Sequence, residues 1–263
     1  MPLITPTRLR EMKRTGQKIA CLTAYDASFA ALLDEAGVEV LLVGDSLGMA
    51  IQGHQTTLEV RLNDMIYHTA NVRRGRKQAL ILTDLPFMSY STPTQALGNA
   101  GRVMQNGAQM VKMEGGAWLA ETVRLLDTRG IPVCAHLGLM PQSIHKLGGY
   151  RVQARSPEEG ERLLEEARIL EQAGAVLLVV ECIPRTLAAT VSQKLSIPVI
   201  GIGAGSGCDG QVLVLYDMLG LSAKIPSFCR NFARSHNDVR SVLRDYVHAV
   251  KTGEFPGTEH GFD

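Results

Sequence analysis

The sequence carries almost no net charge: 27 Lys and Arg stand against 26 Asp and Glu, a formal +1 over 263 residues. A chain so balanced has no overall field to draw it to nucleic acid or to an anionic membrane, so neither is an expected partner. It also lacks any apolar run near the ~18 residues that a membrane span needs. The opening Met1-Pro2-Leu3-Ile4-Thr5-Pro6 has neither the basic nor the apolar segment of a secretory signal, so a cytoplasmic location is expected. Cysteine is sparse: Cys21, Cys134, Cys182, Cys208 and Cys229 are odd in number, widely spaced and without a C-x-x-C, as expected of reduced core thiols. No H-E-x-x-H and no Cys/His cluster offers a zinc site. No internal repeat, low-complexity tract or Pro/Gly/Ser-rich linker divides the chain, and its length fits one α/β domain.

What the sequence does have is a repeated design: an apolar run that ends on a charged or polar group. Val40-Leu41-Leu42-Val43-Gly44 closes on Asp45 and Ser46, and Ala79 to Thr83 closes on Asp84. Ala108 to Val111 leads to Lys112 and Glu114, Ile131 to Ala135 closes on His136, and Val176 to Val180 closes on Glu181. Short apolar runs bounded in this way read as buried parallel strands, whose ends would then gather on one face. That face is where α/β enzymes keep their chemistry.

Helical patterns alternate with the strand candidates. Thr7 to Thr15 is a short basic helix, Asp26 to Ala36 stops at Gly37, and Leu62 to Gly75 follows a polar loop from Gly48 to Thr57. Thr94 to Asn106, Trp118 to Thr128 and Pro184 to Leu195 read as helices, and Ser156-Pro157-Glu158-Glu159 is a strong start for the helix Pro157 to Gln172. Ile19 to Thr23 and Pro198 to Ile202 are further strands; Leu213, Asp217 and Leu221 do not decide between strand and helix; Asn231 to Val250 reads as one terminal helix. With helices after nearly every strand and a strand count near eight, a single-domain (β/α)8 TIM barrel is predicted over its rival, the open doubly wound sheet. Two loops on the proposed active face, Gly48 to Thr57 and Phe87 to Thr94, are candidate lids.

Asp45, Asp84 and Glu114 stand at successive strand ends. Gathered carboxylates repel unless a cation neutralises them, and an all-oxygen set with room for water suits Mg²⁺. The bland reading of each is a helix cap or an Arg partner. Lys112 and Glu114, two apart, point to one face if both lie on the strand, making Lys112 a candidate receiver for a substrate carboxylate or half of a structural ion pair with Glu114. Glu181 ends a wholly apolar strand and is a candidate to take a proton near neutral pH. His136 is either a substrate contact or a satisfied core group. Gly205 to Gly210 spells G-x-G-x-x-G, but no helix clearly opens there and no acid lies ~20 residues on, so tight barrel packing explains the glycines equally well.

These residues together resemble a known family. Gly44-Asp45-Ser46-Leu47-Gly48-Met49, Asp84-Leu85-Pro86-Phe87, Lys112-Met113-Glu114-Gly115-Gly116, His136-Leu137-Gly138-Leu139, Glu181-Cys182-Ile183-Pro184 and Gly201-Ile202-Gly203-Ala204-Gly205 are similar to the successive motifs of the ketopantoate hydroxymethyltransferases. Thr23-Ala24-Tyr25-Asp26 and Phe255-Pro256-Gly257-Thr258-Glu259-His260 extend the match, which departs at Met140, where a Thr is common. The resemblance implies a (β/α)8 barrel assembled as a homo-oligomer, with a decamer the usual form. It implies transfer of a one-carbon unit from 5,10-methylenetetrahydrofolate to 3-methyl-2-oxobutanoate, a step toward pantothenate. By position it implies that Asp45, Asp84 and Glu114 surround Mg²⁺, that Ser46 and Lys112 touch substrate with Asp45, Asp84 and His136, and that Glu181 is the base. The alternatives are a Mg²⁺-dependent 2-oxoacid lyase or mutase on a related barrel, a nucleotide-binding module using Gly205 to Gly210, and a catalytically dead scaffold. A lyase of that kind is expected to carry a reactive Cys in a lid loop, and neither candidate lid contains one.

Overall fold

The computed structural model describes residues 3–263. The chain enters through α1 (Pro6–Arg14), started by Thr5, whose hydroxyl accepts the Arg8 N–H, and by Pro6 in the first turn. Eight parallel strands follow: β1 (Ile19–Thr23), β2 (Val40–Val43), β3 (Leu80–Asp84), β4 (Met110–Glu114), β5 (Val133–Gly138), β6 (Leu177–Glu181), β7 (Val199–Ile202) and β8 (Gly210–Leu213). Each pairs with its neighbour in sequence, and β8 returns to β1. The barrel is closed, as predicted, and the open-sheet rival falls away.

The outer ring is built from α2 (Ala27–Ala36), α3 (Leu47–Ala50), α4 (Leu62–Gly75), α5 (Pro93–Gln105), α6 (Ala120–Thr128), α7 (Ile144–Leu147), α8 (Pro157–Gln172), α9 (Arg185–Lys194), α10 (Leu215–Met218) and α11 (Val239–Thr252). Their ends carry the expected signals. Asp26 caps α2 by accepting the Phe29 N–H, Gly37 ends it in the left-handed region, and Ser156 and Glu159 form a reciprocal box at the start of α8. One expectation is corrected. The terminal helix starts at Val239 rather than Asn231, because Asp238 accepts the Ser241 N–H and caps it, while Asn231 starts only the separate 3₁₀ turn Phe232–Ser235. The undecided region resolves as strand to Leu213 and helix from Leu215, with no helix opening between Gly205 and Gly210. A Cβ at Gly210 would strike the Ile19 carbonyl, so close barrel packing is the reason for that glycine, and the nucleotide-binding reading loses its support.

Strand alternation decides what lies inside. Along β3 the residues Leu80, Leu82 and Asp84 face the interior; along β4 Met110, Lys112 and Glu114; along β5 Cys134 and His136; along β6 Leu177, Val179 and Glu181. The lower layers are a dry apolar plug shared with Ile19, Cys21, Val40, Leu42, Ile200 and Val212, and Leu9 and Met12 of α1 close its bottom. Burying each such side chain contributes about 1.5–3 kcal/mol. The intervening residues, such as Ala20, Leu22, Leu41 and Val43, pack outward against the helices. All five cysteines are buried and free, as expected. Among the described residues no helix is long and apolar enough to cross a membrane.

Charge is half-buried at the lower end. Lys13 Nζ reaches Asp209 Oδ2 at 2.8 Å and the carbonyls of Ser192 and Ile197, and Lys251 pairs with Glu39 while bonding the Lys18 carbonyl. On the outer side of the closure, the Tyr246 hydroxyl of α11 lies between the carbonyls of Cys21 on β1, at 2.8 Å, and Gln211 on β8, at 3.1 Å.

Candidate active site at the barrel mouth

The polar ends of the interior stripes form one layer at the mouth, and strand register decides who meets whom. Asp84 is paired in register with Lys112, and Glu114 with His136. Lys112 Nζ accordingly bonds Asp84 Oδ1 at 2.6 Å, so the ion pair anticipated between Lys112 and Glu114 forms with Asp84 instead. Asp45 lies one residue past an interior glycine, Gly44, and its backbone N–H donates to Asp84 Oδ2 at 3.0 Å. A Cβ on Gly44 would sit 2.8 Å from Ser46 Oγ and 3.6 Å from Asp84 Oδ2, which would crowd this approach. Ser46 Oγ shares a hydrogen bond of 2.9 Å with the buried Tyr25 hydroxyl.

His136 is wholly buried, and neither ring nitrogen has a hydrogen-bond partner. Nδ1 stands 3.6 Å from Glu114 Oε1 and Nε2 3.4 Å from Glu181 Oε2. Burial lowers its pKa, so the ring is neutral near pH 7 and offers one donor and one acceptor. Among the described residues both nitrogens are left open to a further hydrogen bond, which would offset the cost of burying them. Glu181 ends β6 partly open to solvent, and Cys182 turns the chain immediately beyond it with a φ of 47°.

The electrostatics follow from the count. Burial, then Asp84, pushes the Asp45 carboxyl up to about 7. Burial raises Glu114 as well, with Lys112 opposing. Burial works against the Lys112 charge, but Asp84, Glu114 and Asp45 outweigh it and hold the ammonium protonated above its ordinary range. One lysine therefore serves three buried carboxylates, leaving negative charge that a divalent cation would neutralise.

The donor set, all carboxylate oxygen, fits Mg²⁺. Asp45 and Asp84 are adjacent, whereas Glu114 turns Oε2 to the Gln142 backbone N–H and Oε1 toward His136. Among the described residues no three His, Cys, Asp or Glu side chains close on one point. Mg²⁺ is commonly held by one or two carboxylates, with substrate and water completing its shell.

Sequence reasoning passed over Gln142 and Tyr90. Gln142 follows β5 and reaches Asp45, and Tyr90 lies buried beneath Trp118, whose ring stacks over it at 6.4 Å. An uncharged polar residue just past a strand end is too common a signal to single out. Trp118 and Phe87 lie on the exposed rim and Tyr90 in the core. An open groove of about 450 Å³ between α4 and α5, lined by Tyr67 and Arg102 among others, contains no acid, thiol or imidazole.

A closed (β/α)8 barrel with a buried acid-rich cluster, one lysine and one unpartnered histidine at the carboxyl ends of its strands defines a barrel enzyme of the acid–base type. Comparison with known proteins narrows the class. The sequence model of ketopantoate hydroxymethyltransferase matches residues 3–258. A 3-methyl-2-oxobutanoate hydroxymethyltransferase 2 of Pseudomonas entomophila is 58% identical over 264 residues, covering 100% of this chain and 99% of that protein. A 3-methyl-2-oxobutanoate hydroxymethyltransferase of Nitrosococcus oceani is 58% identical over 258 residues, covering 97% and 98%. The chain belongs to the ketopantoate hydroxymethyltransferase family. Its barrel is also similar to a putative phosphonomutase of Burkholderia cenocepacia, with a TM-score of 0.66 at 16% identity, covering 82% of this chain and 95% of that one. A phosphoenolpyruvate phosphomutase of Streptomyces platensis gives 0.63 at 12% identity, covering 95% and 96%.

Proposed function

We propose that this chain transfers a hydroxymethyl unit from 5,10-methylenetetrahydrofolate to 3-methyl-2-oxobutanoate, giving ketopantoate and tetrahydrofolate on the route to pantothenate. The observation that carries the reading is the buried excess of carboxylates over the one lysine, at the mouth of a barrel of this family. Mg²⁺ held by Asp45 and Asp84, with Glu114 adding charge behind them, would supply stabilisation for the negative charge that gathers on the keto oxygen.

The chain's own residues do the rest. Lys112 spends one N–H on Asp84 and has two left to receive the substrate carboxylate, which sets the direction of C3. Ser46, oriented by Tyr25, contributes a hydroxyl beside Asp45. His136, neutral and unpartnered, hydrogen-bonds the substrate between Glu114 and Glu181. Glu181 takes the C3 proton on a carboxylate oxygen, and the electron pair left at C3 forms the new carbon–carbon bond to the methylene of the folate iminium as the C=N pair returns to nitrogen; water then replaces the remaining carbon–nitrogen bond, giving the hydroxymethyl group and tetrahydrofolate. A cytoplasmic homo-oligomer, a decamer by family resemblance, belongs to the same reading, and light scattering of the purified protein tests its size.

The test of the reaction is proton NMR of 3-methyl-2-oxobutanoate in D₂O with the protein, with and without Mg²⁺, before any folate is added. Loss of the C3 proton signal that EDTA abolishes is the expected result. No exchange, even with tetrahydrofolate present, overturns the reading and favours a lyase or mutase acting on another 2-oxoacid.

A further inference from the structure

Gln142 is a neutral side chain among charges, and all of its hydrogen-bonding groups are engaged. Nε2 donates to Asp45 Oδ2 at 2.8 Å and to the Leu85 carbonyl at 3.0 Å. Oε1 accepts from the Tyr90 hydroxyl at 2.5 Å, and the backbone N–H donates to Glu114 Oε2 at 2.9 Å. The amide cannot be turned over: the Leu85 carbonyl only accepts, so nitrogen must face it and oxygen must face the phenol. With its proton directed at Gln142, the Tyr90 oxygen receives the Glu114 N–H at 3.3 Å.

The ties have a consequence for the mouth. Asp45 follows β2, Leu85 follows β3, Glu114 ends β4 and Gln142 follows β5, so one residue fastens four successive strand ends, its side chain those of β2 and β3 and its backbone N–H that of β4. Of the two Asp45 oxygens, Oδ2 is engaged by Gln142, while among the described residues no hydrogen-bond donor engages Oδ1. A lysine or arginine here would hold the same oxygen but would also cancel the negative charge left over for a cation. A neutral amide orients the carboxylate and leaves its charge intact.

Resting on the reading above, we propose that Gln142, itself oriented by Tyr90, is the positioning residue that fixes the Asp45 carboxylate, turning Oδ1 toward the cation and the 2-oxoacid. The variants are Gln142→Leu, which deletes both amide functions at similar volume, and Tyr90→Phe, which deletes one hydroxyl. The first readout is Mn²⁺ affinity without substrate, followed by electron paramagnetic resonance of the free ion. The second is the division of the rate loss between kcat and the KM values of the two substrates.

Gln142→Leu is expected to weaken Mn²⁺ about 10- to 100-fold and to raise the KM for the 2-oxoacid while leaving that for the folate unchanged. Tyr90→Phe is expected to weaken Mn²⁺ about fivefold, the worth of one net hydrogen bond. A merely structural role would lower the melting temperature and the folded fraction and leave affinity and KM of the folded fraction as in the parent; that result in Gln142→Leu overturns the proposal. Should Gln142→Leu fail to fold, Tyr90→Phe decides, and parent-like Mn²⁺ affinity there overturns it equally. A parent that binds no Mn²⁺ and exchanges no C3 proton overturns the reading of the site, and this proposal with it. A parent that does both, matched by its variants, overturns this proposal alone.

Discussion

At the lower end of the barrel two half-buried lysines each have a carboxylate, Lys13 with Asp209 and Lys251 with Glu39, and backbone carbonyls take further donors. At the mouth Lys112 stands among Asp45, Asp84 and Glu114, and His136 has no partner at all. The same residue types occur at both ends under the same wall of apolar side chains. The balanced end joins α1, β8 and α11 to the strands; the mouth carries more acid than cation. Local imbalance of charge, together with deeper burial, separates the mouth from the lower end.

The largest effect is expected from Glu181→Gln. It should slow C3-proton exchange by about 10²- to 10⁴-fold with no change in urea midpoint, because the side chain ends a strand partly open to solvent. Undiminished exchange would remove Glu181 from the chemistry. Next, Lys112→Met deletes the one cation of the mouth and should cost about 3–5 kcal/mol in urea unfolding without divalent ions, with Mg²⁺ restoring part of the loss. If Mg²⁺ restores nothing, the two ends do not differ in the way argued.

Asp45→Asn tests the imbalance through pH. The Asp45 carboxyl is raised to about 7 by burial and then by Asp84, against an ordinary value of 3.8. The folded chain keeps a proton that the unfolded chain releases, so this contribution to stability is full below about pH 4 and is lost as pH rises through about 7. Metal-free Asp45→Asn lacks that loss and should gain about 4 kcal/mol on the parent between pH 4 and pH 8, read from urea midpoints. An equal pH dependence in both would break the comparison. The smallest effect belongs to the lower end: Asp209→Ala strands Lys13 and should cost roughly 2–3 kcal/mol, unaffected by Mg²⁺ and with kcat per folded molecule intact. Rescue by Mg²⁺ would place Asp209 in the wrong class.

Much of this was legible in residue order. Asp84, Lys112, Glu114, His136 and Glu181 fall on interior stripes because each lies two residues, or for Glu114 four, beyond an interior apolar neighbour, and period two is a local property. The partner of Lys112 was not legible. Its face follows from its own strand, but the choice of Asp84 over Glu114 comes from the register of β3 on β4, which no local pattern records. β8 hid for a related reason: four residues that open on a glycine become a strand by pairing with β1 and β7. The start of α11 was misplaced because Asn231 and Asp238 are both good caps, and only the second has a long amphipathic run directly after it. Gln142 escaped because its importance lies in four distant partners, none of them near it in the chain.

The Tyr246 hydroxyl bridging β1 and β8 bears on how the molecule is made. A ribosome delivers β2 through β6, and with them every group of the mouth, well before α11 emerges, and domains form as synthesis proceeds from the N-terminus. The first and last strands can be stitched from outside only when residue 246 has left the exit tunnel. Until then the pairing of β1 with β8 lacks this clamp, so the closure of the barrel is completed only near the end of translation.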